Sequence, residues 1–423
     1  MFTKKILVIF ILSWTYGGII NVPADFYSIQ LAIDNAYDID GDGVDERDTI
    51  LVAPGTYYEN LVGSSDVLLA SEYLMTGDTN SINQTIIDGY NNGQVLYCGV
   101  LATGFTIKNG YGPGYQAGLG GGNNGGGVAG CGPPDGGGIY LSHCKIENCT
   151  GGYGGALFIN GIGELDNISF KNISTYEGDG HNGYIYVEGG SLTASNLKFY
   201  NNDDMWIETT SPRAIYVGGQ GNIHIESVYS ELPIRFGSYS GNAFLKDLLV
   251  TLDLANANNS FNGYNTALNL GNTYYASFEI SNCTFAGHSI GIQTGIREGT
   301  IQISSSIIGN LSNSWNGEGD ANTTASWCNI GNLEQLSEFN ILSQGSISED
   351  PLFIDPENKN FNLSWDNYPV DDETKSPCID SGHPDPQYND PDGTRTDIGA
   401  IPFNQASPIV NFTSDIQTGN TPL

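Results

Sequence analysis

The chain has 423 residues, 57 of them glycine, and carries 47 acidic against 14 basic side chains, a formal charge of −33. Phosphate backbones and anionic bilayers are held through Lys and Arg, so this balance excludes nucleic acid and anionic membrane surfaces as partners. Only 14% of the residues are charged, so the polarity resides largely in Asn, Ser, Thr and Gly.

Lys4 and Lys5 precede an unbroken apolar run from Ile6 to Leu12, the charged and hydrophobic parts of an export signal. The run is too short to span a bilayer. No Ala-x-Ala site follows, and the boundary of this signal is expected near residue 20, leaving a secreted or cell-surface chain without a transmembrane segment. Seven cysteines (Cys98, Cys131, Cys144, Cys149, Cys283, Cys328, Cys378) fit an oxidising compartment but are few and odd in number. They read as buried small hydrophobes, with one or two disulfides.

The segment IQLAIDNAY places Ile29, Ala32, Ile33 and Ala36 at helical spacing and predicts a short capping helix. Next comes DIDGDGVDERD, in which Asp38, Asp40, Asp42, Asp45, Glu46 and Asp48 crowd into eleven residues. Like charges at that density call for a counter-ion or full solvation. Asp38, Asp40, Asp42 and then Gly43 follow the opening spacing of a hard-cation loop, although the closing Glu of an EF-hand is replaced by Thr49. TILVAPG then reads as a buried strand ending in a turn.

From about residue 95 to 345, short β-branched or aromatic runs recur between Asn and Gly turns, and they form two series. One is GGGIYL (136 to 141), GGALFI (154 to 159), GYIYVEGG (183 to 190) and AIYVGGQG (214 to 221), with Ile185 and Ile215 thirty residues apart. The other is GFTIKNG, CKIENC, ISFKN, LKFYN, CTFAG and SIIGN, with Asn148, Asn172 and Asn201 at equivalent ends. Runs this short cannot be amphipathic helices, and several strands per repeat of 20 to 30 residues indicate a solenoid. The expected fold is all-β, a right-handed parallel β-helix over about residues 76–346, with ten or so coils rising about 4.8 Å each. The turn Asn residues are expected to stack amide on amide from coil to coil. The Gly-rich stretch from Gly110 to Gly138 reads as a loop leaving one coil.

Several of these motifs carry a family resemblance. The helix and DTILVAPGTYYENL resemble the entry segment of secreted β-helix proteins of the pectin-lyase-like superfamily. TIIDG, GFTIKNG and GGGIYL resemble its repeats, and EDPLFIDPENKNFNLSW, SPCIDSG and DPDGTRTDIGAIPF resemble its closing segments. The acidic insert is similar to the Asp-x-Asp-Gly-Asp-Gly repeats of thrombospondin type 3, which implies that a later acid, Asp45 or Asp48, completes a calcium shell begun by Asp38, Asp40, Asp42 and the carbonyl of Val44. PIVNFTSDIQTGNTPL resembles the first strand of a polycystic-kidney-disease-type sandwich. The implied organisation is a signal (1–20), an N-terminal cap with acidic loop 38–48 (21–75), the β-helix (76–346), a closing segment (347–404) and a linker with the start of that sandwich (405–423).

Superfamily members include lyases and hydrolases, and fold alone does not select among them. A lyase needs a cation and a base, and a hydrolase needs facing carboxylates. Asp203, Asp204 and Arg213 supply such groups, beside Trp206 and Glu208 as sugar contacts. AGHSIGIQTGIREG resembles the Gly-His and Arg elements of polygalacturonases through His288 and Arg297. The paired acids of that family lie about one coil before the His, whereas Asp204 lies more than 80 residues before His288. The expected function is therefore a monomeric, non-catalytic surface module binding extracellular polysaccharide or a surface protein. A polysaccharide lyase or glycoside hydrolase comes second and a structural stalk or adhesin spacer third.

If the acidic insert holds calcium, the metal binds the folded chain in preference to the unfolded one and raises its melting temperature by mass action. Chelator should lower that temperature, and an Asp40→Ala, Asp42→Ala variant should respond to neither. A calorimetric titration flat up to millimolar calcium would return the insert to a solvated loop.

Overall fold

A computed structural model describes residues 18–36, 47–112, 125–130, 138–175, 183–200, 213–251, 266–287, 290–309, 311–313, 322–334, 337 and 341–405. Its main element is one long sheet of parallel strands wound as a β-helix, in which each coil contributes to three faces. The third face was hidden in the sequence, where only two series stood out.

Face one begins at Ile19–Val22, which pairs with Asp48–Val52. The strand therefore starts ahead of residue 20, inside the boundary expected for the export signal, and residues 1–17 lie outside the described ones. Coils accordingly start well before residue 76. Inward side chains stack in register as Ile20, Ile50, Leu69, Ala102, Leu141, Leu165, Ala194, Ile225, Leu245, Ile280, Ile303 and Ala325. Each Ile or Leu so buried contributes about 1.5–3 kcal/mol, and alternate residues point to solvent.

Face two contains the whole second sequence series: Ile107, Ile146, Phe170 and Phe199 stack in register, the last two with rings 4.7 Å apart and 4° from parallel. Face three carries most of the first series, and Ile185 pairs with Ile215 as the thirty-residue step requires. GGGIYL is the exception. Its Ile139 pairs with Val100 and Gly163 on face one rather than with Leu157. The Gly-rich stretch is also more than a loop, since Val128–Ala129 within it is a strand of face three. A Cβ on the neighbouring Gly126 would lie 2.4 Å from the Gly155 carbonyl oxygen, so glycine there permits close coil stacking.

A single left-handed residue turns the chain from face one to face two. Gly104, His143, Asn167, Asn196, Ser227, Asp247, Asn282, Ser305, Trp327 and Gly345 occupy this corner on ten successive coils, with φ between 46° and 85°. Asn, Asp and Gly tolerate this region best, which accounts for their frequency there. At a second corner, after face two, Asn109, Asn148 and Asn172 are also left-handed, and the Asn172 amide donates to Asn148 Oδ1 at 3.1 Å. The expected amide stack exists at this pair. Asn201 lies outside the described residues.

The capping helix, Ile29–Asn35, buries Ile29 and Ala32, and Ile33 packs partly against the core. Ala36 is its C-cap rather than a helical residue. Ser28 accepts the Leu31 N–H, and the Glu59 carboxylate accepts those of Ile29 and Gln30 at 2.9 Å, so three of the four N-terminal donors are satisfied. Cys98 is disulfide-bonded, whereas Cys144, Cys149, Cys283, Cys328 and Cys378 are buried free thiols. Burial pushes the thiols of Cys144 and Cys378 to about 11 and those of Cys149 and Cys328 to about 12, so these are inert packing groups.

The closing segment docks along the flank of face two. The outward column there runs Lys145, Ser169, Lys198, Tyr229, Leu249, Thr284, Ile307, Asn329. Its last four members are buried. Ile307 packs with Leu363, Trp365, Ile379 and Ile398, Thr284 Oγ1 accepts the Ala400 N–H at 2.9 Å, and Lys359 reaches Glu231 at 3.0 Å. Inside the segment, Asp397 accepts the N–H groups of Asp380 and Phe403, both at 2.7 Å, and Asp390 accepts that of Asp397 at 2.9 Å.

Two outcomes follow. At the first corner, Asn196→Val should lower stability by about 1–2 kcal/mol relative to Asn196→Gly, because only the β-branched residue resists positive φ. Equal urea midpoints for the two variants would sink the role given to that corner. In the closing segment, burial together with neighbouring carboxylates raises Asp390 to about 6 and Asp397 to about 7. Folding therefore takes up protons at these groups, and their stabilising contribution is complete below the ordinary carboxylate value of 3.8 and lost as pH rises through 6 to 7. Hydrogen exchange of residues 376–405 should be faster relative to intrinsic rates at about pH 8 than at about pH 5, and Asp397→Asn should flatten the difference.

Candidate functional site

Outward positions of face one line an open groove of about 420 Å³ over five coil levels. Alternation along each strand generates it: where Ile225 and Leu245 point inward, His224 and Phe244 must point outward. One column reads Ser191, Asn222, Asn242, Ser277 and Thr300, all amides or hydroxyls. The next reads Thr193, His224, Phe244, Glu279 and Gln302. His224 and Phe244 stack with centroids 4.6 Å apart and planes 20° from parallel, forming a flat shelf in the middle of the groove.

Acidic groups flank the shelf. Glu226 Oε2 lies 3.6 Å from His224 Nε2, and Lys246 at the adjacent level reaches Asp247 at 3.5 Å. Asp247 occupies the left-handed corner, and burial holds its carboxyl above the usual range against the opposing pull of Lys246 and Asn282. The Asn242 amide donates to Asn222 Oδ1 at 3.4 Å, so the amide column is internally linked at that level. The surface can thus offer hydrogen bonds, a ring face and negative charge along a line parallel to the solenoid axis.

The residues singled out from sequence fall elsewhere. Asp38, Asp40, Asp42, Val44 and Asp45 of the expected calcium loop lie outside the described residues, as do Asp203, Asp204, Trp206, Glu208 and His288. Asp48 is 4% exposed at the start of its strand, and its Oδ1 accepts the Gly18 N–H at 2.7 Å, which ties the first two strands together. Among the described residues, no group of three or more His, Cys, Asp or Glu is placed to hold a metal ion. Arg297 ends the face-three strand Ile290–Arg297, its side chain outside the described set.

Arg213 is 5% exposed and its guanidinium lies 5.9 Å from the centre of the Tyr216 ring, with that of Arg235 at 5.8 Å. Tyr216 stacks on Tyr186 at 5.2 Å and Tyr186 on Phe158 at 5.6 Å, all outward from face three yet buried. Arg213 is therefore packed into an aromatic column on a different face from the groove. His224, a residue that no sequence motif singles out, pairs here with both Phe244 and Glu226. The alternating runs NIHIES, NAFLKD, SFEIS and TIQIS were the available signal for this face, but their central outward positions carry four different residues, His224, Phe244, Glu279 and Gln302.

No protein-family model, no curated protein and no solved structure matches the chain. Among the described residues, no helix is long and apolar enough to cross a membrane.

Proposed function

We propose that this chain is a secreted or cell-surface β-helix module of pectin-lyase-like type that binds an extracellular polysaccharide along face one without turning it over. The groove carries this reading: an aromatic shelf beside columns of amides and hydroxyls, repeated over five levels, suits the apolar faces and hydroxyl rims of successive sugars. Repetition favours contact along a polymer over a single reaction centre. The calcium loop of residues 38–48 belongs to the same proposal, as a device that ties down the insert beside the cap.

One observation favours a second reading, glycoside hydrolysis. Asp247, its carboxyl raised by burial and further by the nearby charge of Glu226, forms with that residue a pair of carboxyl groups at the groove's edge.

The test is affinity electrophoresis and co-sedimentation of the purified chain on a panel of neutral and uronate-containing polysaccharides, with reducing-end release followed in parallel. The wild type should bind, and a His224→Ala, Phe244→Ala variant should bind at least about tenfold more weakly with its melting temperature little changed, equivalent to about 1.4 kcal/mol of contact. Undiminished binding by that variant would remove the groove from the function. Sugar release that is abolished by Glu226→Gln would replace binding by hydrolysis.

A further inference from the structure

We infer that the groove takes an uncharged polysaccharide, extended parallel to the solenoid axis at about one sugar per coil, and discriminates against polyuronates. This rests on the glycan-binding reading above and adds the orientation and charge class of the ligand.

Orientation comes from register. Asn222, Asn242, Ser277 and Thr300 repeat at the coil rise of about 4.8 Å, close to the length of one sugar ring in an extended chain. A polymer lying along the axis therefore meets equivalent donors and acceptors at each step, whereas one lying across the coils meets each column only once. An extended peptide is a poorer match, because peptides dock by adding to free strand edges and the face-one strands between Ser191 and Gln302 are paired on both sides.

Charge class comes from the groove's own ionisable groups. Glu279 lines the groove, Glu226 lies at its edge with Oε2 3.6 Å from the lining His224, the cation at that edge, Lys246, is engaged by Asp247 at 3.5 Å, and the chain as a whole carries −33. A polyuronate seated here would bring one carboxylate per sugar within the screening length of those glutamates, about 10 Å at 0.1 M salt. A neutral chain meets no such repulsion and uses the same carboxylates as acceptors for its hydroxyls.

Titration calorimetry on the whole chain with β-1,4-linked gluco- and manno-oligosaccharides, from disaccharide to octasaccharide, and with oligogalacturonates of the same lengths, tests both halves. Affinity in at least one neutral series should climb with length up to about five sugars, matching the five coil levels, and then level off. Oligogalacturonates should bind at least about tenfold more weakly, and a Glu226→Gln, Glu279→Gln variant should narrow that gap, as should high salt. Oligogalacturonates binding as tightly as the neutral series would overturn the charge assignment and leave glycan binding standing. Neutral affinity already saturated at the disaccharide would overturn the axial arrangement. Failure of every series would overturn the inference together with the reading it rests on.

Discussion

The structure depends on one backbone constraint, the left-handed residue that turns ten successive coils from face one to face two. A corner one residue long leaves the chain no freedom to slip, because a shift of one position would exchange inward and outward side chains on both faces. Ten successive corners from Gly104 to Gly345 obey it, and the straight inward ladder from Ile20 to Ala325 lies beside them. The columns of the groove are the outward image of that ladder. Asn222 faces Asn242, and His224 faces Phe244, because Ile225 and Leu245 must face each other inside.

The three faces have different environments, and this difference locates the site. Along face two the outward column changes from Lys and Ser to Leu, Thr and Ile where the closing segment lies over it. On face three the outward aromatics Phe158, Tyr186 and Tyr216 are buried beside Arg213 and Arg235. Face one, over the same coils, retains intermediate to exposed side chains at Thr193, His224, Phe244, Glu279 and Gln302. A long ligand can lie along that face without displacing described chain.

Much of the fold was legible because its constraints are local. The strands of the second sequence series fell on one face, and the described run ends Asn109, Asn148, Asn172 and Gly287 are corner residues whose positive φ favours Asn or Gly. GGGIYL misled because glycines followed by Ile and Tyr occur on two faces, and only pairing with Val100 assigns Ile139 to face one. The groove was illegible for a related reason: its central column, Thr193, His224, Phe244, Glu279 and Gln302, shares an orientation and not a chemical type. Nor could the sequence reveal where the closing segment docks, because contacts such as Lys359 with Glu231 join positions 128 residues apart. Aspartates near the start of the chain drew attention by density, yet Asp48 is occupied with holding a strand start.

Ladder partners on neighbouring coils are separated by very different lengths of chain: nineteen residues from Ile215 to Ile234, thirty-five from Leu245 to Ile280. The surplus leaves at corners other than the one-residue turn, so the spacing on face one is indifferent to it. Such a molecule behaves as a ruler whose divisions are fixed while the material between them is not. Its working length can change only in whole divisions, by gain or loss of a complete coil, and each such step would add or remove one position in the groove while leaving the others in register.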